Sequence, residues 1–450
     1  MSRTKMQRSA ATTKRLTQLA ERAKALDVIF ACGGEVQVPA PLALHRPGAK
    51  KLQVAERIGF RPTKIDTKLR TWCAPAVFGE GTQTRSDARV REGRQLYARD
   101  GALTVEGFDD ALATILGQVR NALCPLDAGP PVATLHSLNV YEAGGHFVSH
   151  KDTPRDPSVF GTLGVCLPLS FRGGRLVVDH MAMATFDWET LDSRAASTDE
   201  AALNLRWAAF FGDVDHRVER VTSGCRATLT YELRRGPATA ALVRELGEAD
   251  VAFTAALVEA LSDPKFFAEG GMLGIPCLHL YALPTHERAQ AETKGLAEQL
   301  KGRDRVVAEA LSCAGLEPRV VPYVFETGIG ESWRLRRGAS AGEKKIFGQK
   351  RLETARIEAK LPVEFHAQFD DADDVAWLVR PPWVSRYREV PDGRPEPAVE
   401  FLGEPEYSAT GYFGNEACDA SFYAAVALVC EVPPSSTRVL TNGVVTTPKL

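Results

Sequence analysis

Hydrophobic and polar positions alternate in short runs between residues 131 and 235. Runs such as ATLHSLNVYEA, GTLGVCLPL, RWAAFFGD and RATLTYEL follow one another, and glycine-containing turns such as SFRGG separate them. Short strands that are joined by such turns, without intervening helices, are typical of antiparallel sandwiches and jelly rolls. The pattern therefore predicts an antiparallel sandwich or jelly roll, which an acidic insertion interrupts at 181–204.

Other patterns flank this strand-rich region on its N-terminal side. Apolar residues at helical spacing over 107–123 predict a supporting helix. The stretch TKRLTQLAERAKAL near the start predicts a solvated helix behind a frayed tail, and DVIFACGGEVQVPAPLALHR predicts strands around a Gly-Gly turn. We therefore expect the sandwich to carry supporting helices, so that the fold class is α+β.

A change of pattern near residue 236, marked by the letters GPA, predicts a domain boundary. The runs beyond it are helical at 239–248, at 251–262 and near 304–314, and strand-like in CLHLYAL, RVVPYVFE, AWLVRP and YAAVALVCEV. We therefore expect a basic tail and helix at 1–26, the sandwich with its supporting elements at 27–236, and a second α+β domain at 237–450. The role of this second domain does not follow from its sequence.

Composition and charge argue against two classes of partner. The 450 residues are 44% hydrophobic and 25% charged, with a formal net charge of -2. This balance argues against a general nucleic-acid binder, because such proteins present a basic surface. No apolar run approaches the roughly 18 residues that a membrane-spanning helix requires. We therefore expect neither nucleic acid nor membrane as a partner, and the sequence does not predict the oligomeric state.

Nine cysteines are scattered along the chain, and none forms a CxxC pair. Several lie within apolar runs, such as Cys166 in GVCLPL and Cys430 in ALVCEV. An odd number without a pairing pattern is typical of reduced, mostly buried thiols in a cytoplasmic protein. The start of the chain is rich in Lys and Arg, so an organelle transit peptide stays open as an alternative to a frayed tail.

The segment GGHFVSHKDTPR places His150 and Asp152 two residues apart. In an extended strand, alternate side chains point to the same face, so the imidazole and the carboxylate would lie side by side. Taken alone, such a pair is more often a surface feature of an edge strand. His216, which follows a buried apolar run and a Gly-Asp turn, offers a third ligand. Two histidines and one carboxylate form the facial triad that holds non-haem Fe(II) and leaves positions open on the metal.

A basic residue follows the third candidate ligand by ten positions. This residue is Arg226, and Thr228 shares its face of the predicted strand. The Ser-Gly turn before it is expected to form a hairpin that returns the guanidinium to the metal face. A guanidinium that grips a carboxylate bidentately, with a hydroxyl beside it, is a carboxylate anchor. Asn139 and Tyr141, at alternate positions of an earlier strand, are expected to add polar contacts to the same ligand.

These residues together form the pattern N-x-Y-x-x-G, H-x-D and H-x9-R-x-T, which extends from about Asn139 to Leu233. The pattern resembles the 2-oxoglutarate- and Fe(II)-dependent dioxygenases, specifically the prolyl 4-hydroxylase-like branch. H-x-D alone is common by chance, whereas the full combination is specific. The stretches CAPAVFG and GYFGNEACDASFYAAVALVCEVP are similar to segments of a two-domain fungal and bacterial group of such oxygenases, from which no substrate can be carried over.

The resemblance implies a double-stranded β-helix in which His150, Asp152 and His216 bind Fe(II). 2-Oxoglutarate would chelate this metal and place its far carboxylate on Arg226, where the branch often has lysine. With O2, the co-substrate would be converted to succinate and CO2 while a C–H bond is hydroxylated. The substrate is expected to be peptidyl or amino-acid-like, and ascorbate stays open as an additional cofactor. The alternatives are a small-molecule oxygenase of secondary metabolism and a non-catalytic β-helix scaffold that binds a partner protein.

Two further residues narrow the activity that the resemblance implies. Halogenating relatives lack the carboxylate ligand, so the presence of Asp152 favours hydroxylation. AlkB-like nucleic-acid demethylases usually have a second arginine six residues after the anchor, whereas this chain has Glu232 there. The GNEA stretch at 414–417 predicts a turn with a buried polar pair, and no function is assigned to it.

Overall fold

The chain folds, in a computed structural model, into two compact units. The β-sandwich unit comprises Ile29–Val243 and Gly411–Ser421, and the mixed unit comprises Met1–Val28, Arg244–Thr410 and Phe422–Leu450. The residues that the structure describes are 9–26, 28–39, 42–54, 64–80, 83–153, 158–189, 202–237, 248–284, 296–322, 375–377, 387–389, 395–397, 413–416, 421–441 and 444–446. The short segment 411–421 thus belongs to the β-sandwich unit, although it lies far along the chain.

Strands predominate over helices in the described residues. The helices are α1 (Ala10–Lys24), α2 (Lys64–Trp72), α3 (Asp109–Leu123), α4 (Glu248–Ser262), α5 (Leu296–Gln299) and α6 (Gly302–Cys313), with a 3-10 turn at Arg99–Gly101. The strands of the first half are β1 (Ala31–Pro39), β2 (Leu42–His45), β3 (Leu52–Val54), β4 (Ala74–Pro75), β5 (Phe78–Glu80), β6 (Gln83–Arg85), β7 (Arg91–Glu92), β8 (Arg94–Tyr97), β9 (Thr104–Glu106), β10 (Pro131–Glu142), β11 (His146–His150), β12 (Val159–Cys166), β13 (Phe171–Gly173), β14 (Leu176–His180), β15 (Ala182–Phe186), β16 (Ala202–Phe211), β17 (Asp215–Val218) and β18 (Val221–Arg235). The later strands are β19 (Gly271–Pro284), β20 (Arg319–Pro322), β21 (Val375–Trp377), β22 (Tyr387–Glu389), β23 (Pro395–Pro397), β24 (Phe413–Gly414), β25 (Ser421–Val432), β26 (Val439–Thr441) and β27 (Val444–Thr446).

Two antiparallel sheets form the centre of the β-sandwich unit. The larger sheet has the order β1-β16-β12-β18-β10-β8-β4, with β13 paired to β18, and the smaller has the order β15-β14-β17-β11-β7. A hydrogen bond from Arg91 of the smaller sheet to Asn139 of the larger one connects the two. The His216 ring also lies 4.5 Å from the Phe210 ring of the facing sheet. This β-rich sandwich is consistent with the jelly roll that the alternation pattern predicts.

Helix α3 packs against the larger sheet, as the predicted helix over 107–123 requires. Its first turn carries Asp109 and Asp110, whose charges favour a helix N-terminus. The Phe108 ring lies 6.1 Å from the Tyr231 ring of β18. The buried positions recur every fourth residue, at Ala111, Ile115, Val119 and Leu123. This spacing places one apolar stripe against the sheet and confirms the predicted support helix.

The turn expected at Gly33-Gly34 is wrong, because strand β1 continues through both residues. Gly33 pairs with Ala208 and Gly34 with Trp207 of strand β16. A Cβ atom at Gly33 would lie 2.7 Å from the backbone oxygen of Trp207 and 2.6 Å from the Phe186 ring. The missing side chain therefore permits close packing within a strand, a use of glycine that the same letters do not distinguish from a turn.

The Ser-Gly turn expected at 223–224 is also wrong. Strand β18 runs unbroken from Val221 to Arg235, and Gly224 kinks it with a φ of 77°. A Cβ atom there would lie 2.1 Å from the backbone oxygen of Ser170. Because β17 and β18 belong to different sheets, Arg226 approaches the site from the facing sheet and not along a hairpin.

The segment expected as an insertion at 181–204 contains strand structure at both ends. Strand β15 pairs with β14 from Leu176↔Phe186 to His180↔Ala182, and β16 begins at Ala202. Residues 190–201 lie outside the described part of the chain. The hairpin of β14 and β15 was not predicted, because β15 is a mostly exposed edge strand whose residues show no clear alternation of buried and exposed positions.

The mixed unit has its own core around the sheet β20-β25-β19-β21. Helices α4 and α6 and strands β19 and β25 agree with the helical and strand-like runs expected beyond residue 236, whereas the pattern at 239–247 lies outside the described residues. Helix α1, expected to be solvated, buries Leu16, Leu19 and Ala23 in this core. Arg15 of α1 also pairs with Glu259 at 2.7 Å. None of the described helices is both long and apolar enough to cross a bilayer.

Candidate metal centre

His150, Asp152 and His216 form one buried cluster inside the β-sandwich unit. His150 ends β11 and pairs in register with His216 of β17, and Asp152 follows β11 by two residues. One ligand atom from each of the three residues lies within 4.8 Å of the others. The Nε2 atom of His216 is 3.8 Å from Oδ1 of Asp152. The structure therefore brings together the three side chains that the sequence pattern singled out.

Backbone carbonyl groups orient both imidazole rings. Nδ1 of His150 lies 2.8 Å from the oxygen of Val148, and Nδ1 of His216 lies 3.1 Å from the oxygen of Val214. A carbonyl oxygen only accepts, so Nδ1 carries the proton and the lone pair is on Nε2. Burial lowers the pKa of His150 well below its usual value, and His216 lowers it further. A neutral ring with a backbone-bonded Nδ1–H is the usual form of a metal-binding histidine.

Two neutral donors hold the carboxylate of Asp152. The hydroxyl of Thr162 donates to Oδ2, and the side-chain amide of Asn415 donates to Oδ1 over 2.6 Å. Neither donor was identified from the sequence. Thr162 lies in an ordinary strand, and Asn415 is 263 residues from Asp152. The GNEA stretch, which contains Asn415, predicted a turn with a buried polar pair, but it did not indicate that Asn415 contacts Asp152.

Aromatic rings enclose the two imidazoles. The Phe147 ring stacks on His150 with the ring centres 3.5 Å apart, and the Phe210 ring lies 4.5 Å from that of His216. The Cζ atom of Arg91 lies 4.5 Å from the centre of the Phe147 ring, within cation–π range. Phe210 was expected as a core residue, and it is buried. These rings shield the cluster from water on the sides that they cover.

Arg226 lies buried on the facing sheet without an anionic partner. Its Nη1 donates to Thr228 over 2.8 Å, whereas its Nε has no hydrogen-bond partner. Its Cζ lies 5.2 Å from the Trp188 ring and 5.8 Å from the Tyr141 ring. Burial lowers the pKa of Arg226 from its usual value. Among the described residues no carboxylate pairs with it, so the interior holds a guanidinium that is suited to an incoming carboxylate.

The strand register places the other two predicted contact residues on the face that carries Arg226. Tyr141 pairs with Arg226 and Asn139 with Thr228 across β10 and β18. The amide of Asn139 already has partners, because its oxygen accepts from Arg91 and its nitrogen donates to Thr230 over 2.9 Å. A contact from Asn139 or Tyr141 to a co-substrate stays a prediction.

Polar residues beside the ligands have separate functions in the fold. Asp215, expected to point away from the metal face, accepts from the buried Lys151 over 2.6 Å. His146 lies 3.0 Å from the oxygen of Gly144, in agreement with a packing position. The His180 ring lies 5.8 Å from that of Phe30. Arg155, considered as a rim residue, lies outside the described residues.

The donor set of the cluster fits an Fe(II) ion. Two imidazoles and one carboxylate, here at one end of two neighbouring strands, are the ligand types of the facial triad. Such a triad leaves positions on the metal open for other molecules. The buried guanidinium of Arg226 lies on the other sheet of the sandwich. The cluster can therefore hold a metal ion, and the buried guanidinium can bind a carboxylate.

Solved structures to which this one is similar include prolyl hydroxylases. The prolyl-4-hydroxylase of Pseudomonas putida is 16% identical, with 49% of this chain and 100% of that chain covered and a TM-score of 0.26. A prolyl hydroxylase from Trichoplax adhaerens, in complex with a hypoxia inducible factor peptide fragment, is 14% identical, with coverages of 51% and 95% and a TM-score of 0.27. A 2OG-Fe(II) oxygenase family oxidoreductase from Burkholderia pseudomallei is 13% identical, with coverages of 49% and 92% and a TM-score of 0.25. No protein-family model and no curated protein matches the sequence.

Proposed function

We propose that this protein is an Fe(II)- and 2-oxoglutarate-dependent dioxygenase that hydroxylates a C–H bond and releases succinate and CO2. The observation that supports the proposal is a buried cluster of His150, Asp152 and His216 at the smaller sheet, together with a buried Arg226 on the facing sheet that pairs with no carboxylate among the described residues. Burying an unpaired charge is costly, so a site that keeps one is expected to bind the opposite charge.

Each group of residues has a role in this proposal. His150, Asp152 and His216 hold the metal, and Arg226 with Thr228 holds the far carboxylate of 2-oxoglutarate. When bound, the iron and 2-oxoglutarate supply the oxidising chemistry that transfers one oxygen atom from O2 to the substrate. Nη1 of Arg226 donates to Oγ1 of Thr228 over 2.8 Å, so the hydroxyl and the guanidinium lie together as one binding surface.

The protein's own contribution is orientation and the exclusion of water. Backbone carbonyls bond Nδ1 of both imidazoles, so Nε2 is the nitrogen of each ring that is left to bind metal. The rings of Phe147 and Phe210 cover the imidazoles, and Trp188 lies against the guanidinium. In such a low-dielectric environment the charges of metal, carboxylate and guanidinium interact strongly.

The substrate that we propose is peptidyl or amino-acid-like. The motif pattern from Asn139 to Leu233, which resembles the prolyl 4-hydroxylase-like branch, supports this choice. The carboxylate of Asp152 supports hydroxylation, because it occupies the position that halogenating relatives leave open for halide. We also propose a cytoplasmic location, which the pattern of unpaired cysteines supports.

Binding and turnover measurements test the proposal. The purified chain should bind Fe(II) anaerobically, bind 2-oxoglutarate only in the presence of metal, and form succinate from 2-oxoglutarate in air. We expect His216→Ala to abolish metal binding, and Arg226→Ala to keep metal binding while raising the 2-oxoglutarate concentration required by at least about tenfold. Equal loss of metal in both variants would mean that the roles are misassigned. No metal uptake by the wild type would favour a non-catalytic scaffold.

The product identifies the substrate class. A cell lysate treated with the enzyme, iron and 2-oxoglutarate should contain a peptide or protein that is heavier by one oxygen atom, and Asp152→Ala should not produce it. Separate mass spectra of the protein and small-molecule fractions distinguish a peptidyl substrate from a metabolite. Oxygen incorporation only in the small-molecule fraction would overturn the peptidyl proposal.

A further inference from the structure

The carboxylate of Asp152 is held between two donors that are far apart in sequence. Thr162 on strand β12 donates to Oδ2, and Asn415 donates to Oδ1 over 2.6 Å. The oxygen that Asn415 holds is also the one that lies 3.8 Å from Nε2 of His216. The amide of Asn415 therefore acts on the oxygen that points toward the candidate metal position.

The orientation of the Asn415 amide is fixed by its second contact. Its Oδ1 accepts from the backbone N–H of Thr153 over 3.1 Å, while its Nδ2 donates to Asp152. An N–H group only donates and an ionised carboxylate only accepts, so a flipped amide would lose both bonds. The side chain thus bridges a ligand and the residue that follows it, and it does so in one orientation.

The segment that presents Asn415, which we call the clip and define as Phe413–Glu416, is attached to the β-sandwich unit by several contacts. Strand β24 pairs with β5, and Gly414 forms a parallel bridge with Lys151. The hydroxyl of Thr153 donates to the backbone oxygen of Glu416 over 2.6 Å. The Glu416 carboxylate pairs with Arg99 at 2.6 Å. These contacts fix the position of the Asn415 amide. Its contact with Asp152 is therefore part of a well-attached segment and not an isolated approach of one side chain.

We infer that Asn415 is a positioning residue for the metal-binding carboxylate, so that the site in the first half of the chain is completed by a residue from near its end. This inference rests on the proposed function, because it takes Asp152 as a metal ligand. A carboxylate held at both oxygens has little rotational freedom left to lose when metal binds, whereas one held at a single oxygen must be ordered during binding. The expected benefit is therefore in metal affinity.

Removal of the amide tests the inference in the full-length protein. Loss of a group that orients a metal ligand typically weakens metal binding about 10–100-fold. We expect Asn415→Ala to raise the dissociation constant for Co(II), titrated alone under anaerobic conditions, by this factor. The visible absorption of bound Co(II) should also change, because a reoriented carboxylate alters the ligand geometry. Asn415→Ser, which is too short to reach Asp152, should give the same result if the alanine variant is poorly folded.

Two control variants separate positioning from a general effect on the clip. Glu416→Gln removes the pairing with Arg99 but keeps the amide of Asn415, so it should lower the unfolding temperature with less than about a threefold change in Co(II) affinity. Asn121→Ala makes the same substitution on an exposed position of helix α3 and should change neither quantity. An equal loss of affinity in Glu416→Gln and Asn415→Ala would overturn the inference, because the clip as a whole would then be responsible.

The outcomes distinguish this inference from the proposed function. If the wild type binds no Co(II), or if His216→Ala binds it equally well, the metal site itself is wrong. If the wild type binds Co(II), His216→Ala does not, and Asn415→Ala binds as tightly as the wild type, the metal site stands and the positioning role fails.

Discussion

Neutral groups are the hydrogen-bond partners of three buried residues in and near the candidate metal centre, namely Asp152, Arg226 and Arg91. Asp152 is held by a hydroxyl and an amide, and Arg226 by the hydroxyl of Thr228. Arg91 donates to the backbone oxygen of Val77 over 2.6 Å and to Asn139 over 2.8 Å. Neutral partners orient a charge without cancelling it, so the charges of Asp152 and Arg226 remain available to a metal ion and a dicarboxylate.

Arg91 provides a prediction about the stability of the metal-free protein. Arg91→Met roughly keeps the length of the side chain but removes the donor from the buried Oδ1 of Asn139 and from the half-buried backbone oxygen of Val77. Because each unsatisfied buried group costs about 1–3 kcal/mol, we expect the free energy of unfolding to fall by about 2–4 kcal/mol. Urea unfolding of the metal-free protein measures this change.

The matched control for this prediction lies two residues earlier. The side chain of Arg89 is 89% exposed and pairs only with Asp87 among the residues described, so Arg89→Met should change the free energy of unfolding by less than about 0.5 kcal/mol. Similar losses in both variants would show that the buried contacts of Arg91 contribute little.

Sequence patterns predicted the three candidate ligands but could not predict the residues beside them. His150 and Asp152 are two residues apart, so strand alternation predicts a shared face, whereas His216 was selected because it follows a buried apolar run and a Gly-Asp turn. Asn415 and Arg91 reach the site through tertiary contacts, and no local periodicity connects them to it. Arg226 is buried on the facing sheet and its anchoring role stays a prediction, whereas the hairpin that was expected to bring it to the site was wrong.

At the level of elements, glycine residues allow the strands to pass close to other backbone. Gly224 kinks β18 just before Arg226, and Gly174 has a φ of 65° beside the Arg226 stem, where a Cβ atom would lie 3.0 Å from Cδ. Both positions lie near Arg226. The kink therefore contributes to the direction from which the guanidinium enters the interior.

Substitution of Gly224 tests the importance of this kink. Gly224→Ala would place a side chain in a left-handed conformation, which costs about 1–2 kcal/mol, and would push it against the backbone of Ser170. We expect the thermal unfolding temperature to fall by at least about 5 °C and 2-oxoglutarate binding to weaken. An unchanged unfolding temperature would contradict the strain argument.

Gly117 gives the opposite expectation from the same substitution. It lies exposed within helix α3, and a Cβ atom there would meet nothing within 4 Å. Gly117→Ala should therefore raise the free energy of unfolding by about 0.5–1 kcal/mol, because alanine favours helix and restricts the unfolded chain. Calorimetry of the two variants side by side checks both signs.

The prediction of helices and strands succeeded where the hydrophobic periodicity was strong. It failed at glycines, because glycine occurs both in turns and at points of close packing within strands. The stripe of helix α3 and the alternation in β10, β12, β16 and β18 each specified one element type. The pairs Gly33-Gly34 and Ser223-Gly224 were interpreted as turns, whereas the structure uses them for close approach within strands. Whether such a glycine forms a turn or allows close packing depends on the strand beside it. The residues next to the glycine in sequence do not identify that strand.

For the whole molecule, ligand binding and folding should be linked. Anything that binds the folded state alone stabilises it, by about 2.7 kcal/mol at a ligand concentration 100 times the dissociation constant. We expect Co(II) with 2-oxoglutarate to raise the unfolding temperature of the β-sandwich unit by about 5–10 °C, and a chelator to reverse the rise. The His216→Ala variant should show no rise, and a rise of equal size in that variant would contradict the proposed ligands.

The thiols provide a second test of the whole fold. Among the described cysteines, only Cys313 is exposed, whereas burial raises the pKa of Cys73, Cys124 and Cys430 to about 12. At pH 8 these buried groups stay protonated, and a neutral thiol reacts slowly. Brief treatment with iodoacetamide should therefore label Cys313 first, and all nine cysteines should react after unfolding in urea. Early labelling of Cys124 would contradict the described packing.

The division of the chain was the part of the architecture that sequence patterns described least well. The change of pattern near 236 lies close to the end of the first long stretch of the β-sandwich unit, at Val243. Helix α1 and segment 411–421 each belong to the unit that is remote from them in sequence. The local hydrophobic pattern predicts whether a segment forms a helix or a strand. The core in which that segment packs depends on contacts with residues hundreds of positions away.

The separation of the clip from the other residues of the candidate site has a consequence for biosynthesis. His216 completes the proposed ligand set, but Asn415 is translated 199 residues later (415 − 216). At about 5–20 residues per second, a ribosome needs roughly 10–40 s to make this stretch. During that interval the two histidines and Asp152 are already available to metal ions in the cell, whereas the amide that we propose to position Asp152 is absent. Metal that binds in this interval should therefore be held more weakly than metal that binds after Asn415 has been made.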